Sequence, residues 1–301
     1  MPANTRDIKR RLRSISSTKQ ITKAMELVAA AKMRRAVQAV QSSRSYANLA
    51  WMTVQNLAQR TDRRLHALLR RNKSIRRKAI LLITSNRGLC GGFNQQITKL
   101  AIEKYQATVK AGIPVDFIVM GRRGRDVLLR QGLPIVAEFE KQDVVSNTSE
   151  IFPVARLLID DFKAEKYDRV WIAYTDFKSA LKQEAVMRQL LPIEKRKAVI
   201  DVAEPNSQEA NEDEMGEYLF EPSPDEVLGL MLQSIVEIQI YQAVLESNAS
   251  EHSARMMAMR NASDNAEEYM SDLQLYYNQA RQANITRDLA EISASRAVLE
   301  S

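Results

Sequence analysis

The segment Asn86–Asn94 (NRGLCGGFN) is the part of the chain most like a ligand-binding site. A short apolar run precedes it and a stretch with helical spacing follows, and phosphates bind where a glycine turn opens onto a helix N-terminus. The segment matches neither of the two common nucleotide-binding patterns, G-x-G-x-x-G and G-x-x-x-x-G-K-[ST]. A tight turn that needs glycine at left-handed backbone angles explains it better. We interpret Gly121 and Gly124 in the same structural way.

Side chains that could catalyse a reaction or hold a metal are few. His66 and His252 are the only histidines, and Cys90 is the only cysteine. These three residues cannot complete a four-ligand zinc site, and no local sequence is typical of a Ser-His-Asp triad. A single cysteine excludes an internal disulfide and is typical of a reducing compartment. The sequence therefore predicts no catalytic residue, no metal and no cofactor.

Charge is distributed unevenly along a chain whose net charge is +7. Residues 1–35 contain ten basic and two acidic residues, residues 60–78 are also basic, and residues 201–226 contain ten acidic residues and no basic one. Such blocks form solvated faces or contact partners. The basic N-terminal stretch has the Lys/Arg density that phosphate neutralisation needs, although no nucleic-acid-binding signature accompanies it. A nucleic-acid-binding coiled-coil protein therefore remains an alternative hypothesis.

The middle of the chain alternates between short apolar runs and helical stretches. Four runs predict strands, at residues 79–84, 115–120, 170–174 and 185–191. Three stretches predict helices, at residues 94–110, in a short segment ending near Gly132, and at residues 152–166. This alternation favours one α/β domain with a mainly parallel sheet, which we place at residues 79–196. The polar, acidic residues 197–222 predict a loop and a foot segment.

Both ends of the chain predict long helices, because no glycine or proline lies between Ala3 and Arg87 or after Gly229. We place them at residues 1–58 and 223–301. The first seam, with one shift of phase, is Ile8, Leu12, Ile15, Ile21, Met25, Val28, Met33, Val37 and Val40. The second alternates steps of three and four: Leu228, Met231, Ile235, Ile238, Gln242, Leu245, Ala249, His252, Met256, Met259, Ser263, Ala266, Met270, Leu273, Tyr277 and Ala280. Such periodicity is typical of a coiled coil, so the predicted fold class is α+β overall: a long antiparallel coiled coil plus one α/β domain.

Five runs of sequence are distinctive and lie in order along nearly the whole chain. They are ITKAMELVAAAKMRRA (Ile21–Ala36), RGLCGGFN (Arg87–Asn94), YLFEP (Tyr218–Pro222), EHSARMMAMRNASDNA (Glu251–Ala266) and LYYNQARQANITRDLAEI (Leu275–Ile292). These runs resemble the gamma subunit of the F-type, proton-translocating ATP synthase. The resemblance implies a central rotor that couples rotation of a membrane ring to conformational change at catalytic sites of an alpha/beta ring, sites to which it contributes no catalytic residue.

The resemblance also implies partners and the residues that meet them. The partners are the alpha and beta subunits, the epsilon subunit and the membrane c-ring, without nucleic acid or small-molecule substrate, at the cytoplasmic face of an energy-transducing membrane. By motif match, the residues that contact the beta subunit are Lys23, Met25, Arg255, Arg281, Gln282 and Thr286. Tyr218 and Glu221 match the segment that meets the membrane ring and the epsilon subunit. Asn86 stands where the family usually has aspartate, and Asp288 stands where glutamate is commoner.

Overall fold

Two compact units make up the chain, Met1–Ala29 with Arg255–Ser301 and Ala30–Ala254. The computed structural model describes residues 5–60, 66–70, 72, 74–143, 148–193 and 224–299, with side chains for all of these except 44–60, 224–225 and 294–299. Helix α1 spans Thr5–Arg60 and helix α5 spans Pro224–Leu299. The predicted loop and foot segment at residues 197–222, with Tyr218 and Glu221, lies outside the described residues.

A five-stranded sheet lies at the centre of the second unit. Its strands are β1 (Lys78–Ile83), β2 (Val115–Met120), β3 (Ile135–Phe139), β4 (Arg169–Phe177) and β5 (Gln183–Leu191). The strand order is β3-β2-β1-β4-β5, and every pairing is parallel except that of β4 with β5. The mainly parallel sheet is thus confirmed. The sequence missed β3, because this edge strand alternates half-buried and exposed residues and lacks a continuous apolar run.

Helices cover both faces of the sheet. The three shorter ones are α2 (Phe93–Lys110), α3 (Arg122–Arg130) and α4 (Phe152–Lys163). Alternate residues of β1 point to opposite faces, so Ile80 and Leu82 join one core with residues of α2, while Leu81 and Ile83 join another with residues of α4 and α5. Parallel strands need this cover on both sides. The N-terminal part of α5 is therefore one layer of the domain.

Gly121 and Gly124 allow α3 to begin directly against the end of β1. A Cβ atom at Gly121 would lie 2.3 Å from the carbonyl oxygen of Thr84, and the φ of Gly121 is +105°. A Cβ atom at Gly124 would lie 2.8 Å from the Thr84 side chain. No larger residue fits at Gly121 without moving backbone, which confirms the structural interpretation of the two glycines.

One window of α5 is long and apolar enough by composition to cross a membrane, although the sequence holds no unbroken apolar run of that length. Of that window, 56% is buried inside the protein. The buried residues of α5 include Gln242, Glu246 and Glu251. Polar side chains that are buried among protein groups fit a core helix of the α/β domain better than a helix exposed to lipid.

Candidate partner-binding surface

In the first unit, α1 and α5 meet along a seam that combines small residues with a few larger apolar ones. The buried residues of this seam are Ile8, Thr22, Ala29, Met259, Ser263 and Ala266. Thr22 Oγ1 lies 2.7 Å from Ser263 Oγ, and Lys19 Nζ lies 3.0 Å from Glu267 Oε1. Residue numbers fall along α1 from Thr22 to Lys19 while they rise along α5 from Ser263 to Glu267. The two helices are therefore antiparallel, as the sequence predicts.

The observed burial matches the predicted positions fully in the second seam and only in part in the first. Every predicted position of the second seam is buried or half-buried, including His252. In the first seam, the prediction that Ile21 and Val28 are buried is wrong, since these side chains are 60% and 57% exposed. Thr22 and Ala29 take their places, and the seven-residue steps from Ile8 continue without the predicted shift of phase. The prediction chose the more apolar residue at each of these two positions, whereas the close approach of the helices there favours the smaller one.

The hydroxyl groups of Thr22 and Ser263 both donate a hydrogen bond. Thr22 Oγ1 lies 3.0 Å from the carbonyl oxygen of Lys19, and Ser263 Oγ lies 3.0 Å from that of Met259. Each hydroxyl has one proton. One of the two therefore donates across the seam while the other donates to its own helix, and both buried oxygens are satisfied. A directed hydrogen bond thus sets the register where a leucine seam would rely on burial alone.

The outer faces of both helices carry large apolar side chains. Nine such residues are between 51% and 65% exposed: Ile21, Leu27, Val28, Tyr269, Leu275, Tyr276, Ile285, Leu289 and Ile292. Steps of four and three place Ile285, Leu289 and Ile292 on one side of α5. Rows of exposed apolar residues on a helix mark interaction surfaces. The sequence assigned Ile21 and Val28 to the seam and did not identify the others as contact residues.

The six residues assigned to partner contact lie at two levels of the first unit. Lys23, Arg281, Gln282 and Thr286 are exposed, whereas Met25 and Arg255 are half-buried. Lys23 Nζ donates to Glu26 Oε2 at 2.9 Å, and Thr286 Oγ1 donates to the carbonyl oxygen of Gln282 at 3.0 Å. Arg281 is separated from Arg255 by about 39 Å of helix. The six residues therefore fall into two groups, which define two expected contact regions: Lys23, Met25 and Arg255 in one, Arg281, Gln282 and Thr286 in the other.

The glycine turn before α2 is held by hydrogen bonds within the turn and to neighbouring backbone. Ser85 N donates to Asn94 Oδ1 at 3.0 Å, and Asn94 Nδ2 donates to Ser85 Oγ at 2.7 Å and to Cys90 Sγ at 3.2 Å. Leu89 and Gly91 adopt left-handed angles, with φ of 63° and 56°. Asn86 Nδ2 donates to the carbonyl oxygen of Lys141 at 2.6 Å, while Asn86 Oδ1 accepts from the backbone N–H of Arg122 at 3.3 Å. These contacts support the interpretation of the segment as a structural turn.

Known proteins resemble the chain over its whole length. A family model described as ATP synthase matches residues 4–299. The ATP synthase gamma chain of Chloroflexus aurantiacus is 40% identical over 303 residues and covers 100% of both chains. The gamma chain of Herpetosiphon aurantiacus is 39% identical, with 99% of each chain covered, and that of Acidithiobacillus ferrooxidans is 35% identical, with 99% of this chain and 100% of the relative covered.

Solved structures share the fold. A chain from the central stalk and c-ring of Tetrahymena thermophila mitochondrial ATP synthase has a TM-score of 0.60 at 24% identity, covering 81% of this chain and 99% of that one. A chain from the rotor of Euglena gracilis mitochondrial ATP synthase has a TM-score of 0.63 at 19% identity, covering 93% and 98%. The predicted combination of a helix pair and an α/β domain is confirmed. The relatives also favour the rotor hypothesis over nucleic-acid binding.

Proposed function

Because the chain belongs to the ATP synthase gamma-chain family, we propose that it is the central rotor of a proton-translocating ATP synthase. In this function its paired helices turn inside a ring of alpha and beta subunits and couple rotation of a membrane c-ring to ATP synthesis. One observation carries the proposal. The helix pair encloses small and hydroxyl residues in its seam and presents large apolar residues, 51–65% exposed, on its outer faces.

The two outer faces are chemically different, and this difference gives the helix pair a means of acting on its partners. The described face of α1 offers only aliphatic residues of this kind, Ile21, Leu27 and Val28, whereas α5 offers the larger Tyr269 and Tyr276 in addition to aliphatic residues. A ring of three catalytic subunits around such a pair meets a different surface at each position. A ligand shifts a conformational equilibrium only by its differential affinity for the two states. Unequal contacts therefore impose unequal conformations on the three sites.

We assign the two contact regions to the beta subunits. Lys23, Met25 and Arg255 would meet them at one level, and Arg281, Gln282 and Thr286 at the other. Apolar contacts are non-directional, so they can exchange between subunits as the helices turn. The guanidinium and amide groups of Arg281 and Gln282 would add directed hydrogen bonds at defined angles of rotation.

The remaining partners follow from the family motif. Tyr218 and Glu221, outside the described residues, would meet the c-ring and the epsilon subunit. This arrangement would hold the chain at the cytoplasmic face of an energy-transducing membrane through the complex. The chain would catalyse no reaction alone and would bind no cofactor. Within the described part of the chain, no group of three or more His, Cys, Asp or Glu could hold a metal ion.

Reconstitution tests this function. Adding the purified chain with the epsilon subunit to alpha and beta subunits should produce a complex that hydrolyses ATP faster than alpha and beta alone. The isolated chain should hydrolyse no ATP, and calorimetry should detect no micromolar ATP binding. Failure to assemble with alpha and beta, together with RNA copurifying with the chain, would instead support the nucleic-acid-binding alternative.

A further inference from the structure

Residues 242–253 of α5 are buried on every side of the helix. A surface helix normally buries one stripe, so neighbouring elements of the second unit surround this part of α5. Three of its side chains donate hydrogen bonds to backbone carbonyls outside it: Asn248 to Gln142 (3.2 Å), Ser250 to Thr175 (3.1 Å) and Ser253 to Ala180 (2.6 Å). Asn248 and Ser250 are separated by about 200° around the helix axis. Bonds on opposite sides resist rotation of the helix about that axis.

Lys141, just after β3, binds two side chains on one turn of this helix. Its side chain is 2% exposed, and Nζ lies 2.7 Å from Glu251 Oε2 and 3.2 Å from Ser247 Oγ. Ser247 and Glu251 are four residues apart and so lie on one face of α5. The ring of Phe93, with its centroid 5.5 Å from Nζ, covers the ammonium group. A buried ammonium group with a carboxylate, a hydroxyl and an aromatic ring around it has a defined position and direction.

Asp143, two residues further on, contacts both long helices within the second unit. Its Oδ2 accepts a hydrogen bond from Lys32 Nζ of α1 at 2.9 Å, and this bond is the main cause that lowers the pKa of the Asp143 carboxyl. Its carbonyl oxygen lies 3.1 Å from Nε2 of His252 on α5. Because a carbonyl can only accept, Nε2 carries the proton and donates. One short segment thus holds α1 through a carboxylate and α5 through a carbonyl.

We infer that Lys141–Asp143 is a torsional joint, which fixes the rotational setting of α1 and α5 against the sheet. Lys141 and Asp143 are its positioning residues. The inference rests on the proposed rotor function, since a joint of this kind matters only when twist passes between the α/β domain and the helices. It adds to that function the place within the chain where the twist is transmitted.

Stability and orientation make different demands on such a joint. Replacing a buried ion pair with apolar residues of similar volume is often neutral or stabilising. Apolar contacts are non-directional, however, whereas the Lys141–Glu251 pair and its hydrogen bonds specify one angle. A double variant, Lys141→Met with Glu251→Leu, should therefore retain the fold and lose the directed contact. That separation distinguishes a joint from a pair that only stabilises the domain.

The test uses the assembled complex in sealed vesicles. The measured quantity is the ratio of ATP-driven proton uptake to ATP hydrolysis, with thermal unfolding of the chain recorded in parallel. The wild-type ratio tests the rotor function itself, independently of the joint. We expect the double variant to unfold near the wild-type temperature and to show a lower ratio than the wild type, because helices that can turn against the sheet would allow ATP hydrolysis without proton uptake.

A matched control lies beside the joint. Arg122 NH2 and Glu140 Oε1 form an ion pair at 3.3 Å, with side chains 61% and 66% exposed. Arg122→Met with Glu140→Leu repeats the chemical change one residue away from Lys141 and should leave the ratio unchanged. A wild-type ratio in the Lys141/Glu251 variant would overturn the inference, as would an equal loss in the control.

A second variant decides the question if the first does not assemble. Asp143→Ala removes a partly exposed carboxylate and leaves the backbone carbonyl that accepts from His252. Glu140→Ala is its control, three residues earlier in the same segment. We expect the Asp143 variant to assemble with a ratio below that of Glu140→Ala. Equal ratios in the two alanine variants would overturn the joint even where the wild-type complex pumps protons normally.

Discussion

Replacing Leu245 with alanine is expected to destabilise the second unit strongly. Leu245 is 2% exposed and belongs to the core that α5 shares with the sheet and α4. Truncation of a buried leucine costs about 2–5 kcal/mol, and the cost is highest where surrounding atoms cannot collapse into the cavity. Residues 242–253 are buried on all sides, so the cavity would stay open. We therefore expect a loss of about 3–5 kcal/mol in the free energy of unfolding.

The same change at Leu273 should be much milder. Leu273 lies on the seam of the first unit and is only half-buried. A fully buried CH₂ group contributes about 0.8 kcal/mol, so a partly buried side chain that loses three carbons should cost about 1 kcal/mol. The two leucines are chemically identical and share one helix, so Leu273→Ala is the matched control for Leu245→Ala.

Thermal unfolding followed by circular dichroism and by hydrogen exchange measures the difference. A loss of 1 kcal/mol in the free energy of unfolding lowers Tm by about 2–4 °C in a protein of about 150–250 residues. Leu245→Ala should therefore lower Tm by about 6–20 °C. Hydrogen exchange is needed because two units need not unfold together. An equal fall in Tm for Leu245→Ala and Leu273→Ala would refute the reasoning from burial. We also expect the surrounding ring to support the first unit, so that amide exchange around Leu273 is slower in the assembled complex than in the free chain. Equal protection in the two states would refute that expectation.

Two further substitutions test other parts of the chain. The double variant Arg281→Ala with Gln282→Ala should slow coupled turnover of the assembled complex without changing the fold, because both side chains are exposed. Unchanged ATPase activity and unchanged assembly would indicate an ordinary surface role. Asn86→Asp should lower the free energy of unfolding by about 0.5–1.5 kcal/mol, because a carboxylate cannot donate to the carbonyl oxygen of Lys141 as the amide does at 2.6 Å. Denaturant unfolding measures the second effect, and a variant as stable as the wild type would show that the amide donor is not needed.

The α/β domain could be predicted from sequence where apolar runs are continuous. The run at 115–120 matches β2 (Val115–Met120), whose six residues are all buried. The edge strand β3 (Ile135–Phe139) could not be predicted in the same way, since one of its faces meets solvent and Glu138 interrupts the apolar pattern. The antiparallel pairing of β5 with β4 was within reach of the pattern, because no helix is predicted between the runs at 170–174 and 185–191. A parallel pair needs a crossover of about a dozen residues or more, usually a helix.

The contacts of Lys141 could not be predicted at all. Lys141 follows an edge strand in a polar stretch, where a lysine is normally exposed. Its partner Glu251 is 110 residues away in sequence, and neither residue belongs to a recognisable motif for an ion pair. The predicted burial of His252 was the nearest signal, since a histidine on a seam requires a polar partner. That partner proved to be the carbonyl oxygen of Asp143, in the same short segment as Lys141.

The error in the first seam has a physical meaning of its own. A helix pair that had only to be stable alone would bury Ile21 and Val28 and expose Thr22, because burying a large aliphatic side chain stabilises by about 1.5–3 kcal/mol. The structure has the opposite arrangement, with Thr22 9% exposed and Ile21 60% exposed. The free pair thus gives up stabilisation that burial of its outer face against another protein would restore. A seam fixed by directed hydrogen bonds and an outer face completed by partners are two consequences of the same choice of residues, and they suit a helix pair that must keep its register while its surroundings change.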